Sequence, residues 1–278
     1  MGVKTTLPTS AYSLEDYLPD FSIQDDYYSV SLATSVQELD EAFKLRFEVF
    51  NLELQEGLQS SYLTLRDEDA FDKQCHHLII KEKITGVIIG TYRMQTNEHA
   101  QQGIGFYSGS EFQFEMFHKN VLANSVELGR ACIAKAYRNK KVLFLLWCGI
   151  AQYAIAFQKR YLFGCCSLAS QNINEGNKLW HQLEEDGHIT KSDIIPARKE
   201  YSTESDYSNY KQMEQVNMPP LLGMYLRYGA KVVSYPAIDR EFKTIDYLIL
   251  LDVADLNPAI KRLFFKLPES EAVYCPPK

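Results

Sequence analysis

The chain has few cysteines and no excess of positive charge. Its six cysteines contain no Cys-x-x-Cys pair, and two of them are adjacent at Cys165 and Cys166, so they fit neither a disulfide framework nor a zinc site. Lys and Arg total 29 against 36 Asp and Glu, and the net charge of −7 argues against nucleic-acid binding, which needs a basic face. These absences predict a protein of the reducing cytoplasm without a metal site.

Long apolar runs are also absent. The longest apolar stretch, residues 142–157, is shorter than the roughly 20 residues that a membrane span needs and is interrupted by Gln152. The first residues carry no apolar run, so no signal peptide is predicted. With 46% hydrophobic residues in 278, the chain has enough apolar surface for a full core, and we expect one elaborated domain or two small ones.

Patterning along the chain predicts an α/β fold with a mixed sheet. Residues 35–50 read as an amphipathic helix capped by Ser35, and a buried helix follows the basic turn 137–141 and extends through residue 159. A strand, a helix and a strand in succession predict a βαβ unit with two parallel strands. The expected strands are residues 27–33, 76–83, 86–95, 125–134, 161–168, 231–235 and 246–252, and further helices are expected at 175–186 and 258–267.

These elements predict a domain organisation. Residues 1–26 form an N-terminal extension, residues 27–255 the main domain, and residues 256–278 a terminal helix and tail. Residues 190–218 are rich in tyrosine and charge without a steady period, which is typical of an insertion or a lid.

Three arginines stand inside otherwise apolar elements. Arg46 lies on the first helix, Arg93 and Arg130 lie on predicted strands, and Asp69 and Asp72 supply nearby carboxylates. An unpaired buried charge is too costly to keep, so we expect an ionic cluster that shapes a substrate site, with a purely architectural role as the alternative.

A basic turn precedes the buried helix. Asn139 is expected to cap that helix, whose N-terminus favours an anion, and Arg138, Lys140 and Lys141 add positive charge. We expect the turn to bind a phosphopantetheine arm and its acidic acyl carrier protein, or else to be a solvated basic turn. It lacks the glycine-rich form that encloses a coenzyme A pyrophosphate, which favours a carrier protein over free coenzyme A.

Several ordered motifs resemble those of the GCN5-related N-acyltransferase (GNAT) superfamily. They are residues 45–50 (LRFEVF), 69–72 (DAFD), 90–93 (GTYR) and 127–130 (ELGR), and residues 163–168 and 219–230 are similar to the ornithine-lipid N-acyltransferase and hemolysin-like branch. This branch is related to N-acyl amino acid synthases and acyl-homoserine-lactone synthases. The latter usually carry a tryptophan after the first helix, where this chain has residues 51–54 (NLEL), which weakens that assignment.

The resemblance implies a sheet with splayed parallel strands and attack of an amino-acid α-amine on an acyl thioester. Glu127 is the candidate general base, acting through water, and its alternative role is to pair with an arginine. If the strand alternates regularly, Glu127 and Arg130 face opposite sides of the sheet. The implied site comprises Glu127, Arg130 and Arg93 as catalytic residues, Arg46, Phe50, Asp69 and Asp72 for substrate, and backbone N–H groups of Cys132, Ile133 and Ala134 for the oxyanion.

The expected reaction moves a 3-hydroxy fatty acyl group from acyl carrier protein to an amino acid, with ornithine the first candidate and glycine the next. The acyl phosphopantetheine thioester is a co-substrate, acyl coenzyme A is the alternative donor, and no bound cofactor is expected. Two other hypotheses stay open: an autoinducer synthase that uses S-adenosylmethionine, and a non-catalytic protein that binds acyl carriers. A peripheral contact with the inner membrane is a further expectation. An acyl channel, or plain core, is expected from Phe47, Phe50, Phe112, Phe114 and Phe117.

Overall fold

The computed structural model describes residues 18–203 and 214–265. Its strands are β1 (Ile23–Gln24), β2 (Tyr28–Leu32), β3 (His76–Glu82), β4 (Ile88–Thr96), β5 (Ser125–Ile133), β6 (Tyr161–Leu168), β7 (Lys231–Val232), β8 (Ala237–Asp239) and β9 (Thr244–Asp252). Its helices are α1 (Val36–Phe47), α2 (Ser61–Thr64), α3 (Asn97–Gln102), α4 (Ser108–Glu111), α5 (Lys119–Ala123), α6 (Lys140–Ala156), α7 (Ile173–Glu185), α8 (Pro220–Arg227) and α9 (Pro258–Ile260). Strand pairing is mostly antiparallel, and the predicted α/β class is confirmed.

The chain forms two compact units. The first contains the described residues through Met94 together with Arg130–Ala156, and the second contains Gln95–Gly129 and the described residues from Phe157 onward. Strand β4 leaves the first unit after Met94, and β5 enters it at Arg130. Each unit is therefore assembled from separate stretches of sequence.

The first unit is a sheet with a helix on each face. Strands β1 to β4 pair in sequence order and antiparallel, with Leu78 of β3 opposite Tyr92 of β4. One sheet face packs Ile79 against Leu45 of α1. On the other face, α6 passes so close at Gly149 that a Cβ atom there would overlap Leu78.

Local signals set the limits of α1. Ser35 Oγ accepts a hydrogen bond from the backbone N–H of Glu38, whose carboxylate in turn accepts one from the Ser35 N–H, so the predicted cap at Ser35 is confirmed. The predicted helix of residues 36–50 ends as an α-helix at Phe47 and continues as a π-helical turn over Glu48–Glu53.

The second unit is built around β9. Strand β6 pairs with β9 along its whole length, and β7 and β8 also pair with β9. On one face, α7 is fastened by the Tyr247 hydroxyl, which donates to the Gly176 carbonyl, and by Trp180 Nε1, which donates to the Ser234 carbonyl. The opposite face carries an apolar cluster that includes Phe112, Phe163, Val233 and Leu248.

Strands β5 and β6 are parallel, as predicted. Their pairing covers three residue pairs and ends at Glu127 opposite Phe163, although β6 continues to Leu168. Just beyond, Arg130 adopts a positive φ of 51°, a conformation that a non-glycine residue rarely takes. The regular alternation of β5 is thus broken at Arg130.

Several elements differ from the prediction. The sheet begins at Ile23 instead of Tyr27, β8 has no counterpart among the predicted strands, and the terminal helix consists of α9 followed by a π-helical turn over Lys261–Phe265. The predicted insertion 190–218 includes residues 204–213, which lie outside the described residues. Its earlier part is connected to the rest of the second unit by a β-bridge between Ile195 and Ser234. No helix in the described parts of the chain is long and apolar enough to cross a membrane.

Candidate functional site

The first unit contains a buried ionic cluster centred on Arg46. This side chain is 0% exposed, its Nε donates to Asp67 Oδ1 at 2.7 Å, and its two terminal nitrogens donate to the two Asp72 oxygens at 2.7 and 3.0 Å. The geometry is bidentate, the strongest form of an arginine–carboxylate pair. The structure thus brings together Arg46 and Asp72, as predicted.

The two strand arginines complete this cluster. Arg93 Nη1 lies 2.7 Å from Asp69 Oδ1 and 3.1 Å from Asp72 Oδ1, and Arg130 Nη2 lies 2.9 Å from Asp69 Oδ2. Three arginines therefore meet three aspartates, and their charges balance inside the unit. By binding these aspartates, the three arginines hold the segment after α2 in place.

One member of the cluster was missed by the sequence argument. Asp67 is 0% exposed and contacts Arg46 and Arg130, the latter at 3.3 Å. The signal was present, since Asp67 and Asp69 are separated by one residue at the start of the same acidic segment. That both aspartates contact Arg130 could not be inferred from the sequence, because no local pattern predicts which carboxylates are buried.

The charges of the cluster control its protonation. Burial works against ionisation of Asp72, but the charges of Arg46 and Arg93 outweigh it and hold the pKa of this carboxyl below its usual range. Burial lowers the pKa of His77 to about 4, and its Nε2 lies 3.1 Å from the Asp72 carbonyl oxygen. His77 is therefore a neutral donor to the backbone at neutral pH.

The basic turn before α6 has the predicted cap. Asn139 Oδ1 accepts hydrogen bonds from the backbone N–H groups of Lys141 and Val142, each at 3.0 Å. Two of the bases are engaged: Arg138 makes a bidentate pair with Glu53, and Lys141 lies 3.0 Å from Asp25. The Lys140 side chain is exposed.

The proposed oxyanion donors follow Arg130 in the first unit. The backbone N–H of Ala134 donates to the Ile89 carbonyl at 2.8 Å, so this group is engaged. Burial raises the pKa of the Cys132 thiol to about 12, which leaves little thiolate at neutral pH. The roles of Cys132, Ile133 and Ala134 as oxyanion donors stay predictions.

Glu127 lies in the second unit, with partners other than arginine. Its Oε2 accepts from Gln95 Nε2 at 2.6 Å and from the Tyr107 N–H at 3.0 Å, and its Oε1 accepts from the Ser108 N–H and Oγ, both at 2.7 Å. Both oxygens are thus saturated, and the carboxylate fastens the segment before α4 to β5. Glu127 therefore has different partners from Arg130, which contacts Asp67 and Asp69.

A second group of carboxyls lies near Cys165, and it is not among the sites predicted from the sequence. Cys165 Sγ lies 3.4 Å from Ser108 Oγ and 3.7 Å from Glu111 Oε2. Ligand atoms of Glu111, Cys165 and Asp246 lie within 4.8 Å of one another, a spacing that a bound cation could bridge. We name Glu111, Asp239 and Asp246 the acidic cluster.

Burial gives Glu111 and Asp246 of the acidic cluster raised pKa values. It raises the pKa of Glu111 well above the usual range, with the charges of Asp246 and Asp239 adding to the effect. It also raises the pKa of Asp246 to about 6. Strongly shifted carboxyls beside a buried hydroxyl are typical of functional sites, although structural networks show them as well.

The phenylalanines named for an acyl channel fall into separate groups. Phe112, Phe114 and Phe117 pack with Phe163 in the second unit, whereas Phe50 packs with an apolar cluster of the first unit that includes Leu45. The first group lies beside Cys165, which is packed against the same cluster. An apolar surface and the acidic cluster are therefore neighbours in the second unit.

The chain is similar to known acyltransferases. A family profile described as acetyltransferase (GNAT) domain matches residues 45–148. An L-ornithine N(alpha)-acyltransferase of Rhizobium meliloti (strain 1021) is 30% identical over 237 residues, which cover 81% of this chain and 80% of the relative. That of Agrobacterium fabrum (strain C58 / ATCC 33970) is 30% identical over 248 residues, with 81% and 80% covered.

Two of the solved structures that this chain matches are synthases. The AHL synthase LasI matches with a TM-score of 0.47 and 13% identity, covering 86% of this chain and 95% of that chain. FeeM, an N-acyl amino acid synthase from uncultured soil microbes, matches with a TM-score of 0.41 and 10% identity, covering 82% and 92%.

Proposed function

Since this chain belongs to the L-ornithine N(alpha)-acyltransferase family and is an N-acyltransferase, we propose that it acylates the α-amine of ornithine from a carrier thioester. The observation that carries this proposal is the 30% identity with the Rhizobium meliloti relative across four fifths of both chains. Glycine is the second acceptor expected from the sequence. It has no cationic side chain that a buried carboxyl could bind, whereas the second unit supplies buried carboxyls.

The reaction needs a neutral amine held beside the thioester carbonyl. The α-amine nitrogen attacks the carbonyl carbon and loses one proton to a base, the tetrahedral oxyanion collapses, and the C–S bond breaks to release the carrier thiolate, which takes that proton back from the base and leaves as the thiol. Among the predicted residues, Glu127 is the candidate acceptor of that proton. Because both its oxygens are filled, the proton would reach it through Ser108 Oγ, which already donates to Glu127 Oε1.

This relay is open to a direct test. Ser108→Ala removes the hydroxyl but keeps the backbone N–H that binds Glu127, so we expect kcat to fall by about 100-fold with a small change in KM. Ser110→Ala, on the same helix with a hydroxyl that donates only to the Tyr107 carbonyl, is the matched control. Equal kcat values for the two variants would exclude Ser108 from proton transfer.

We propose acyl carrier protein as the donor, bound at the N-terminus of α6. Asn139 caps this helix and Lys140 is exposed beside it, so an acidic carrier would meet a solvent-exposed positive charge there. Lys140→Glu should raise the KM for acyl carrier protein several-fold and leave the KM for the matching coenzyme A thioester unchanged. Lys191→Glu, an exposed lysine in the second unit, controls for net charge.

The decisive experiment is mass spectrometry of the purified protein with 3-hydroxyacyl carrier protein and a mixture of amino acids. A new amide of ornithine is the expected product. An amide of glycine would correct the acceptor, and a lactone formed only with S-adenosylmethionine would favour the autoinducer hypothesis. Intact thioester with every acceptor, and with coenzyme A as donor, would favour a non-catalytic binding protein.

A further inference from the structure

The second unit contains buried carboxyls in an unusual concentration. Glu111, Asp239 and Asp246 are 0%, 3% and 3% exposed. Their placement follows from the strand register: Asp239 on β8 pairs with Thr244 on β9, and Thr244 shares a sheet face with Asp246 two residues later. Helix α4 brings Glu111 to the same place.

Two of these side chains keep buried oxygens without a hydrogen-bond partner. Asp239 is satisfied, because its Oδ1 accepts from the N–H groups of Glu241 and Phe242 and its Oδ2 accepts from the Tyr107 hydroxyl. In contrast, Glu111 Oε1 and Asp246 Oδ1 have no partner among the described residues. Buried polar atoms are rarely left in this state, so these two acceptors need a donor.

Positive charge is also missing. None of the three carboxyls forms an ion pair with a Lys, Arg or His within residues 18–203 and 214–265, whereas each aspartate of the Arg46 cluster does. Burial of an ionised carboxyl without a counter-cation is costly, which is why burial raises the pKa of Glu111 well above its usual range, and a cation is needed for this carboxyl to ionise. The same chain thus compensates one acidic group completely and leaves the other without its cation.

We propose that the unpartnered oxygens of Glu111 and Asp246 bind the side-chain ammonium of the acceptor amino acid, with Asp239 as a second layer of negative charge. This inference rests on the proposed acylation of ornithine and adds the residues that select a cationic side chain. An ammonium group supplies three donors and one positive charge, which are what the two oxygens lack.

An organic ammonium fits these atoms better than a metal ion does. A metal held by Glu111, Cys165 and Asp246 would have to displace the proton of the Cys165 thiol, whose pKa is raised well above its usual range by burial and by the charge of Glu111. An ammonium needs only acceptors. The apolar cluster beside Cys165 suits the methylenes of such a side chain.

The test compares L-ornithine with L-norvaline, which has the same carbon chain without the terminal amine, in the full-length enzyme. Asp246→Asn and Glu111→Gln should each reduce the ratio of kcat/KM for ornithine over norvaline by about 100-fold, because a buried charge pair is broken. The exposed carboxyls Asp255 and Glu185 give matched controls, and Asp255→Asn and Glu185→Gln should leave the ratio unchanged.

Each outcome has a separate meaning. If wild-type enzyme forms no amide with any acceptor, the proposed acylation fails, and the ammonium site is then tested by calorimetry: ornithine must bind more tightly than norvaline, and only in wild type. If amide forms but Asp246→Asn lowers both substrates equally, the acylation stands and the ammonium site is wrong. A stoichiometric metal found by elemental analysis in wild type and lost in Asp246→Asn would also overturn it. Melting temperatures near wild type show that the variants are folded.

Discussion

Asp72 and Asp246 are both buried, but they differ in the hydrogen-bond and ion-pair partners of their carboxyl groups. In the first unit, Asp72 binds Arg46 with both oxygens and also contacts Arg93. In the second unit, Asp246 Oδ1 has no hydrogen-bond partner among residues 18–203 and 214–265. Removal of one partner from a buried ion pair leaves the other charge buried and uncompensated. Removal of one carboxylate in the first unit should therefore lower the free energy of unfolding.

Asp72→Asn leaves two arginines buried with one partner fewer. We expect the free energy of unfolding to fall by about 3–5 kcal/mol, measured by urea denaturation. Asp40→Asn, which weakens the partly exposed pairs of this carboxylate with Lys44 and Arg66, should cost about 1 kcal/mol. Similar losses in the two variants would show that the cluster contributes little to folding.

Asp246 should make stability fall as pH rises. Its pKa is raised from 3.8 to about 6 in the folded protein, so its stabilising contribution is complete below pH 4 and is lost as pH rises through 6. Glu111 and Asp239 are the charged groups that face it. Asp246→Asn stays neutral at every pH, so its melting temperature relative to wild type should be higher at pH 7.5 than at pH 4.5.

Thermal denaturation across this pH range measures the difference, with Asp255→Asn as the control that carries the same change of charge on an exposed residue. A pH-independent difference for Asp246→Asn would show that this carboxyl is not the group that titrates near pH 6.

At the scale of elements, the decisive place is the short parallel pairing of β5 with β6. It ends at Glu127 and Phe163, and Gly164 follows at once. A Cβ atom at Gly164 would overlap the carbonyl oxygen of Leu128, which is backbone and cannot rotate away. Glycine is therefore required for the two strands to approach before they part.

Gly164→Ala should reduce the free energy of unfolding by at least about 2 kcal/mol, since the strand must move to admit the methyl group. Gly109→Ala in α4 is the matched control, because a Cβ there would meet its nearest neighbour, the Phe114 ring, at an ordinary 3.6 Å. Urea denaturation of both variants decides the question. If the Gly164→Ala protein were as stable as the Gly109→Ala protein, β5 and β6 would be able to move apart at little cost in free energy.

At the scale of the whole molecule, the chain passes between its two units three times. The boundaries fall after Met94, Gly129 and Ala156, and β5 belongs to both units. Loss of β5 from one unit removes a strand from the other. The molecule should consequently unfold as one cooperative system although it contains two compact units.

The two tryptophans report on this separately. Trp147 is buried in the first unit and Trp180 in the second. The variants Trp147→Phe and Trp180→Phe each leave one tryptophan as the fluorescent probe. We expect the urea transitions of the two variants to have the same m-value. In each variant, the midpoint measured by fluorescence should equal the midpoint measured by circular dichroism. A fluorescence midpoint that departs from the circular dichroism midpoint in either variant would show that one unit unfolds alone.

Much of this protein was determined by its sequence alone. The cap at Ser35, the buried α6, the bounds of β6 and the parallel relation of β5 to β6 were all predicted, because helical and strand periodicities are local properties of the chain. The motifs at residues 45–50 and 127–130 predicted the family in the same way, since each is a short contiguous string.

Tertiary structure alone decided which charges meet. Asp67 joined the Arg46 cluster, Glu127 accepted hydrogen bonds from Ser108 instead of an arginine, and Glu111 came together with Asp246, 135 positions later in the chain. No periodicity connects residues so distant. The electrostatic energy of a carboxyl depends on what lies within a few ångströms of it after burial, and that neighbourhood exists only once the chain has folded.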